Sequence, residues 1–248
     1  MAKVTVLVAG YTTDDKQLFD GVEEKGATVS LVVDKNMVMV VDPGTLENQQ
    51  VLLSALAAQG LTPDDVTVVA ITHSHIDHYK NIGMFGKAKV LEYSGIWDGN
   101  KIEDWQTHFS TDIQILKTPG HDAASITLFV NTLQGVVAIC GDVFWKENFP
   151  KVDPHAFDAK KLEQSRALVL KMSSWIIPGH GPMYKTGHAP LLKLQDAKKM
   201  DAAVLGKCKK CRQLFKKLSD KCPCQSWLCY HCCECDIYCG VCHCKHKI

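Results

Sequence analysis

Three histidines and one aspartate lie within six residues of the segment Thr72-His73-Ser74-His75-Ile76-Asp77-His78. Residues 66–71 are mostly β-branched and predict a buried strand, so the cluster stands at a strand end, where loops carry reactive groups. Imidazole nitrogen and carboxylate oxygen are ligands that suit zinc. An extended backbone directs His73 and His75 to the same side. The segment therefore constrains the chain to fold around a metal site, and its four ligands favour two metal ions over one.

An ordinary polar loop with incidental histidines is the alternative interpretation of this segment. Three later segments argue against it, because each follows an apolar run and places a ligand beside a glycine, which permits tight backbone geometry. They are Thr118-Pro119-Gly120-His121, Gly141-Asp142 and Pro178-Gly179-His180-Gly181. We expect four strand ends to converge on one site.

Length and composition limit the class of protein. A chain of 248 residues buries a full core, and we expect a main domain over residues 1–205 and a small appendage over 206–248. The formal net charge is +1, and there is no apolar run of about eighteen residues that would span a membrane. We therefore expect a soluble intracellular protein without a membrane partner, in the cytoplasm or alternatively in the nucleus.

The pattern along the chain predicts a layered α/β domain with the ligands at one edge, where two sheets meet. A hairpin is expected over 28–33 and 37–41, and an amphipathic helix over 46–59, with Leu52, Leu53, Leu56 and Ala57 on its buried stripe. Further strands are predicted over 3–9, 89–93, 113–116, 125–130, 136–142 and 175–177, and further helices over 79–85, 157–172 and 190–205.

The ordered ligand motifs over about residues 1–190 resemble the metallo-β-lactamase superfamily. The resemblance implies an αβ/βα sandwich with a dinuclear zinc site. Within it, His73, His75 and His121 would hold the first metal, and Asp77, His78 and His180 the second, with Asp142 bridging. Asp42, whose local sequence favours a simple turn, matches the early strand-end aspartate that supports the site from behind the ligands.

Four further stretches are similar to the subgroup of metallo-β-lactamase domain-containing protein 1. They are Gly10-Tyr11, residues 41–45, residues 78–83 and residues 141–145. The subgroup has been connected with endoribonuclease activity on messenger RNA, so the resemblance implies RNA as a substrate. The chain departs from the pattern at Asp122, where threonine is commoner, and in its cysteine-rich tail.

We therefore expect a hydrolase that uses a hydroxide bridging two zinc ions, with Asp77, His121 and Asp142 as the catalytic residues. The alternative substrates are a thioester, a lactone or a β-lactam. A zinc-binding adaptor without catalysis is the alternative class, and the complete ligand set argues against it. A homodimer is among the expected assemblies.

Five other residues have chemistry that merits attention. Lys80, His155, Tyr184 and His188 are candidates for substrate contact or leaving-group protonation, but a solvated lysine, loop histidines and a packed tyrosine are the simpler interpretation. Cys140 lies in the predicted strand before Asp142, and we interpret it as a core residue.

Eleven of the twelve cysteines lie in the last forty-one residues, which favours metal binding over disulfides. The close pairs predict one or two structural zinc ions there, in addition to two in the catalytic site, and leave the ligand pairing open. The expected ligands are Cys208, Cys211, Cys222, Cys224, Cys229, Cys232, Cys235, Cys239 and Cys242.

The tail is also basic. Residues 207–248 contain nine Lys or Arg against three Asp or Glu, a local net charge of about +6. With Trp227 and Tyr230, such a module suits RNA phosphates and bases. A protein-interaction finger and a metal-buffering tail without a specific partner are equally weighted alternatives.

Overall fold

The computed structural model describes residues 1–13, 23–187, 205–207 and 214–216. The chain divides into two units, residues 1–191 and 192–248. The strands are β1 Lys3–Val8, β2 Tyr11–Thr12, β3 Lys25–Gly26, β4 Val29–Asp34, β5 Met37–Val41, β6 Val68–Ala70, β7 Lys89–Leu91, β8 Ile96–Asp98, β9 Lys101–Glu103, β10 Ile113–Lys117, β11 Ile126–Thr132, β12 Gly135–Ile139, β13 Trp175–Ile177, β14 Tyr184–Lys185, β15 Leu205–Lys207 and β16 Leu214–Lys216. The helices are α1 Gln50–Ala57, α2 Ile76–Tyr79 and α3 Ala159–Met172, and 3₁₀ turns cover Pro63–Asp65, Ile82–Met84 and Gly141–Val143.

Two large sheets form the first unit. One has the strand order β1-β4-β5-β6-β7-β8-β9 and the other β10-β11-β12-β13-β14. β2 and β3 pair as a small separate ribbon. In the second unit, β15 and β16 pair antiparallel.

The core lies between the two large sheets, and alternation along the strands explains it. Val32, Met39 and Val41 of the first sheet pack in the same cluster as Leu128 and Ile139 of the second. Intervening residues point to the opposite face because side chains alternate along a strand, and there Leu31 and Val40 pack with Leu52 and Leu56 of α1. α3 contacts β12 of the second sheet. The predicted αβ/βα sandwich is confirmed.

Most predicted elements of the first unit are present, with the following differences. The helix expected over 46–59 begins at Gln50 and ends at Ala57, whose side chain is exposed and not part of the buried stripe. The helix expected over 79–85 is replaced by α2 and a 3₁₀ turn. The strand expected over 136–142 ends at Ile139, so Asp142 lies in a 3₁₀ turn. The hairpin of β8 and β9 was not predicted, and neither were the short strands β2, β3 and β14.

Other predictions fall outside the described residues. They concern the helix over 190–205, His188 and all the tail cysteines. Within the described ranges, no helix combines the length and the apolar character that crossing a membrane requires.

Candidate metal centre

The histidine cluster begins at His73, three residues after the end of β6, a central parallel strand of the first sheet. His73 and His75 precede α2, while Asp77 and His78 lie within this helix. The Thr72 carbonyl accepts a hydrogen bond from the backbone N–H of Ile126, at the start of β11, so the cluster is tied to both sheets. The ligands therefore lie at the sheet edge that the sequence predicted.

His73, His75, His121 and Asp142 form a first group that could hold a metal ion. His75 Nδ1 lies 3.1 Å from His73 Nε2 and 3.0 Å from His121 Nε2. Asp142 Oδ2 lies 3.8 Å from His73 Nε2 and 3.3 Å from His121 Nε2. Three imidazole nitrogens and one carboxylate oxygen thus converge, which is a ligand set that suits zinc.

Asp77, His78 and His180 form a second such group. Asp77 Oδ2 lies 3.9 Å from His78 Nε2 and 3.5 Å from His180 Nε2. Asp142 also reaches this group, since its Oδ1 lies 3.2 Å from His78 Nε2 and its Oδ2 lies 3.2 Å from His180 Nε2. The carboxylate of Asp142 therefore stands between the two groups.

Unsatisfied polar atoms test whether a cation fits here. Asp77 Oδ2, His78 Nε2 and Asp142 Oδ1 are buried, and none of them makes a hydrogen bond of acceptable geometry, although the last two lie 3.2 Å apart. Buried polar atoms are nearly always satisfied, because leaving one without a partner costs free energy. Asp77 Oδ2 and Asp142 Oδ1 lie 3.9 Å and 3.2 Å from His78 Nε2, so one metal ion near this nitrogen would satisfy all three atoms. The residues therefore fit a metal ion.

Burial and charge set the protonation of the ligands. Burial, assisted by the neighbouring His78, lowers the pKa of His73 well below its usual value, and burial followed by His121 lowers the pKa of His75. Burial alone would raise the pKa of Asp142, but His180 and His78 hold it well below its usual value. His73 and His75 therefore favour the neutral imidazole and Asp142 the ionised carboxylate, which are the protonation states that metal binding requires of these three residues.

Asp42 supports the site from behind. Its Oδ1 accepts a hydrogen bond of 2.8 Å from the Thr72 backbone N–H, and its Oδ2 accepts one of 2.7 Å from the Thr72 hydroxyl. His78 Nδ1 lies 2.8 Å from the same Oδ2. Burial acts to lower the pKa of His78, but Asp142 and Asp42 outweigh it and raise this pKa well above its usual value. Asp42 thus orients a ligand and is not a simple turn residue; its φ of 50° is the kind of strain that persists at functional sites.

Asp153 was missed by the sequence analysis. Its Oδ2 lies 2.7 Å from His121 Nδ1, on the side of the ring that faces away from the other ligands. Its Oδ1 accepts a hydrogen bond of 2.8 Å from the His155 backbone N–H. Burial would raise the pKa of Asp153, but the bond to His121 outweighs it and the pKa is lowered. No spacing or motif distinguishes Asp153 from other loop aspartates in the sequence.

The glycines beside the ligands are required by close packing. A Cβ atom on Gly179 would overlap Asp142 Oδ1, and one on Gly141 would overlap Thr72 Oγ1. Gly141 also has a φ of 50°, in the left-handed region that glycine tolerates best. The chain can bring Asp142 and His180 together only because these positions lack side chains.

Asp122, which stands where threonine is commoner in the subgroup that the sequence resembles, has a structural role. Asp122 Oδ2 accepts hydrogen bonds from the Ser74 backbone N–H at 3.2 Å and from the Ser74 hydroxyl at 2.5 Å. Its Oδ1 accepts another from the Ala124 backbone N–H at 3.0 Å. Asp122 therefore fixes Ser74, the residue between the ligands His73 and His75.

The remaining candidates lie around these groups and not in them. Lys80 is exposed, and Tyr184 is half-buried with a pKa raised by burial. His155 is exposed and stacks on Trp145, with ring centroids 5.7 Å apart. Cys140 is buried in the core, as predicted.

Comparisons with known proteins agree with this geometry. The sequence model of the metallo-β-lactamase superfamily matches residues 23–93, which include the cluster from His73 to His78. The Xenopus laevis metallo-β-lactamase domain-containing protein 1 is 32% identical over 206 residues, which are 79% of this chain and 86% of that protein. A probable metallo-hydrolase of Methanocaldococcus jannaschii is 29% identical over 152 residues, covering 59% of this chain and 73% of that protein.

Solved structures show the same fold. A candidate metallo-β-lactamase from Thermotoga maritima has a TM-score of 0.60 and 19% identity, and the match covers 74% of this chain and 99% of that one. An N-acyl homoserine lactone hydrolase with N-hexanoyl-L-homoserine at its metal centre has a TM-score of 0.54 and 19% identity, covering 72% of this chain and 92% of that one.

Proposed function

Since this chain belongs to the metallo-β-lactamase superfamily and is a metallo-hydrolase, we propose that it uses two zinc ions and cleaves phosphodiester bonds of RNA. The observation that carries the two-metal part is the position of Asp142, whose carboxylate lies within 3.3 Å of His121 Nε2 in one group and of His78 and His180 Nε2 in the other. The first ion would be held by His73, His75 and His121, and the second by Asp77, His78 and His180. Zinc supplies Lewis acidity, which makes water a nucleophile at neutral pH and draws electron density from a phosphoryl or carbonyl oxygen.

The chain's own residues orient the reaction and exclude water from the ligands. Asp77 is nine-tenths buried, and its carboxylate would help to hold the second ion and would orient the attacking water. Asp142 separates the two histidine groups and sets the distance between them. Asp42 and Asp153 hold the rings of His78 and His121 in place. We therefore assign Asp77, His121 and Asp142 as the catalytic residues.

The RNA part of the proposal rests on the subgroup resemblance and on the charge of the tail. Residues 1–187 contain 16 Lys or Arg against 22 Asp or Glu, a net charge of about −6. A polyanion is not attracted to this part of the chain by charge, whereas residues 207–248 carry about +6. RNA cleavage would accordingly need the tail to bring substrate to the site.

The net negative charge of residues 1–187 favours a second candidate function. An acidic hydrolase domain tolerates an uncharged ester, so hydrolysis of a small thioester, lactone or β-lactam is the alternative. Replacing Lys207, Lys209 and Lys210 with Gln separates the two. RNA turnover should fall and its salt dependence should weaken in this variant, while turnover of a small ester should not change.

The test is cleavage of a labelled single-stranded RNA by the zinc-loaded full chain. We expect cleavage by the unaltered protein and none by His121→Ala. His108→Ala is the control and should cleave, because His108 is exposed and lies outside both groups. Equal cleavage by His121→Ala would contradict the assignment of the site. Absence of cleavage by all three would contradict RNA as the substrate, and the same proteins would then be tested on the ester panel.

A further inference from the structure

The loop between the 3₁₀ turn at Asp142 and helix α3 exposes large apolar side chains. Val152 is 81% exposed and Phe157 is 70% exposed. Val152 directly precedes Asp153, the residue that contacts His121, and Phe157 lies four residues after it. Exposed apolar side chains that cluster beside a reaction centre indicate a binding surface.

This loop is firmly tethered, so the exposure is not that of a free segment. The His121 carbonyl accepts a hydrogen bond of 3.0 Å from the Phe157 backbone N–H, and the Gly120 carbonyl accepts one of 2.9 Å from Asp158. The Lys151 carbonyl accepts a hydrogen bond of 3.3 Å from Arg166 Nη1. Phe157 is thus held beside a metal ligand with its ring in solvent.

His155, two residues before Phe157 in the same loop, presents a flat ring. Its imidazole stacks on Trp145, with an interplanar angle of 12°. Trp145 is buried and packs edge-on against His121 at 6.0 Å and against His180 at 6.2 Å between ring centroids. The exposed imidazole therefore extends an aromatic wall that begins at both groups of ligands.

We propose that His155 and Phe157 form a stacking surface for an unsaturated ring of the substrate, namely a nucleobase next to the scissile phosphodiester. The proposal rests on the proposed function and adds to it a subsite for the base. Stacking of bases on aromatic side chains is tolerant of sequence, because every base presents a π face.

The experiment compares two ligands that differ only in the base. Binding of adenosine 5′-monophosphate and of ribose 5-phosphate to the zinc-loaded full chain is measured by titration calorimetry. We expect the nucleotide to bind at least about fivefold more tightly. The ratio of the Kd of ribose 5-phosphate to the Kd of the nucleotide should approach one in Phe157→Ala and in His155→Ala. In His155→Phe, which keeps an aromatic ring, this ratio should match that of the unaltered protein.

Leu133→Ala is the matched control. Leu133 is 93% exposed and follows Thr132, at the far end of β11 from Ile126, whose N–H contacts the Thr72 carbonyl. Six residues of strand separate the two ends by about 20 Å. The ratio of the two Kd values should be the same in Leu133→Ala as in the unaltered protein.

Two outcomes would overturn the subsite. One is equal binding of both ligands by the unaltered protein, and the other is an unchanged ratio in Phe157→Ala and His155→Ala. If instead these variants weaken hexanoate relative to acetate and leave the nucleotide ratio intact, the surface binds an acyl chain and the nucleobase assignment is wrong. If RNA is not cleaved but the ratio of the two Kd values still depends on Phe157, the proposed reaction is wrong and the base subsite stands.

Discussion

Asp153 Oδ2 lies 2.7 Å from Nδ1 of His121, so one edge of this imidazole ring is held by a buried carboxylate outside the two ligand groups. A carboxylate in this position fixes the tautomer that leaves Nε2 free to bind metal, and it raises the basicity of the ring.

We expect Asp153→Ala to weaken zinc binding by about 10–100-fold, because His121 loses its orienting partner. Asp153→Asn should cause a smaller loss, since its amide oxygen still accepts a hydrogen bond. Competition with a chromogenic chelator measures both affinities without any assay of turnover. An affinity in Asp153→Ala equal to that of the unaltered chain would show that the contact is merely structural.

Two metal ions should be countable by difference. Elemental analysis of zinc in the full chain includes whatever the cysteine-rich tail binds, but substitutions in the first unit leave that contribution constant. We expect His121→Ala and His180→Ala each to lose about one zinc per chain relative to the unaltered protein, because each removes a ligand from a different group. Loss of the same single ion in both variants, with no further loss in the double variant, would indicate one metal.

Metal should also stabilise the fold. Repulsion and missing hydrogen bonds among the buried ligands are relieved when a cation binds the folded state only. At a free zinc concentration a hundredfold above Kd, one site adds about 2.7 kcal/mol to the free energy of unfolding. We expect chelation to lower the Tm of the unaltered chain by more than it lowers the Tm of a His121→Ala, His180→Ala double variant, as scanning calorimetry would measure. Equal shifts would mean that the metal bound in this site does not stabilise the fold.

The contrast between these ligands and Asp153 shows what sequence can reveal. Three histidines and an aspartate in six residues are a local pattern, and each later ligand stands beside a glycine after an apolar run. Asp153 has no such signal, because it reaches His121 only after the chain has turned from β12 into α3. Its importance is a property of the tertiary fold.

The hairpin of β8 and β9 shows a second limit. Trp97 and Ile102 are each more than one-third exposed, and β9 is an edge strand. Of the six residues in these two strands only Ile96 is half-buried, so the sequence shows no apolar alternation there. By contrast, β11 is buried along its whole length, and its apolar run is evident in the sequence.

The N-terminus of α3 provides a prediction that depends on pH. Asp158 Oδ1 caps the helix by accepting a hydrogen bond of 3.0 Å from the Lys161 backbone N–H, and this bond, more than the nearby Lys161 charge, lowers the pKa of Asp158. A folded-state pKa below the unfolded value of about 3.9 gives stability above that pH, which is lost as the pH falls through the folded value.

We therefore expect Asp158→Ala to lower the Tm at pH 7 and the difference to shrink below about pH 4. Asp158→Asn keeps an acceptor that does not titrate, so the Tm difference between Asp158→Asn and Asp158→Ala should not change over the same pH range. A Tm difference between the unaltered chain and Asp158→Ala that stays constant from pH 7 to pH 3 would contradict the cap.

Gly179→Ala tests how closely the two ligand groups are packed. A Cβ atom at this position would overlap Asp142 Oδ1 and lie 3.1 Å from the carbonyl carbon of Gly141, so the carboxylate between the groups must move. Because φ at Gly179 is not in the left-handed region, the backbone itself tolerates alanine. We expect zinc binding to fall sharply while circular dichroism shows an intact fold.

Gly83→Ala, where an added Cβ would meet no atom within 4 Å, is the matched control and should bind zinc as the unaltered chain does. If Gly179→Ala binds zinc with unchanged affinity and count, the position of Asp142 does not control the metal site.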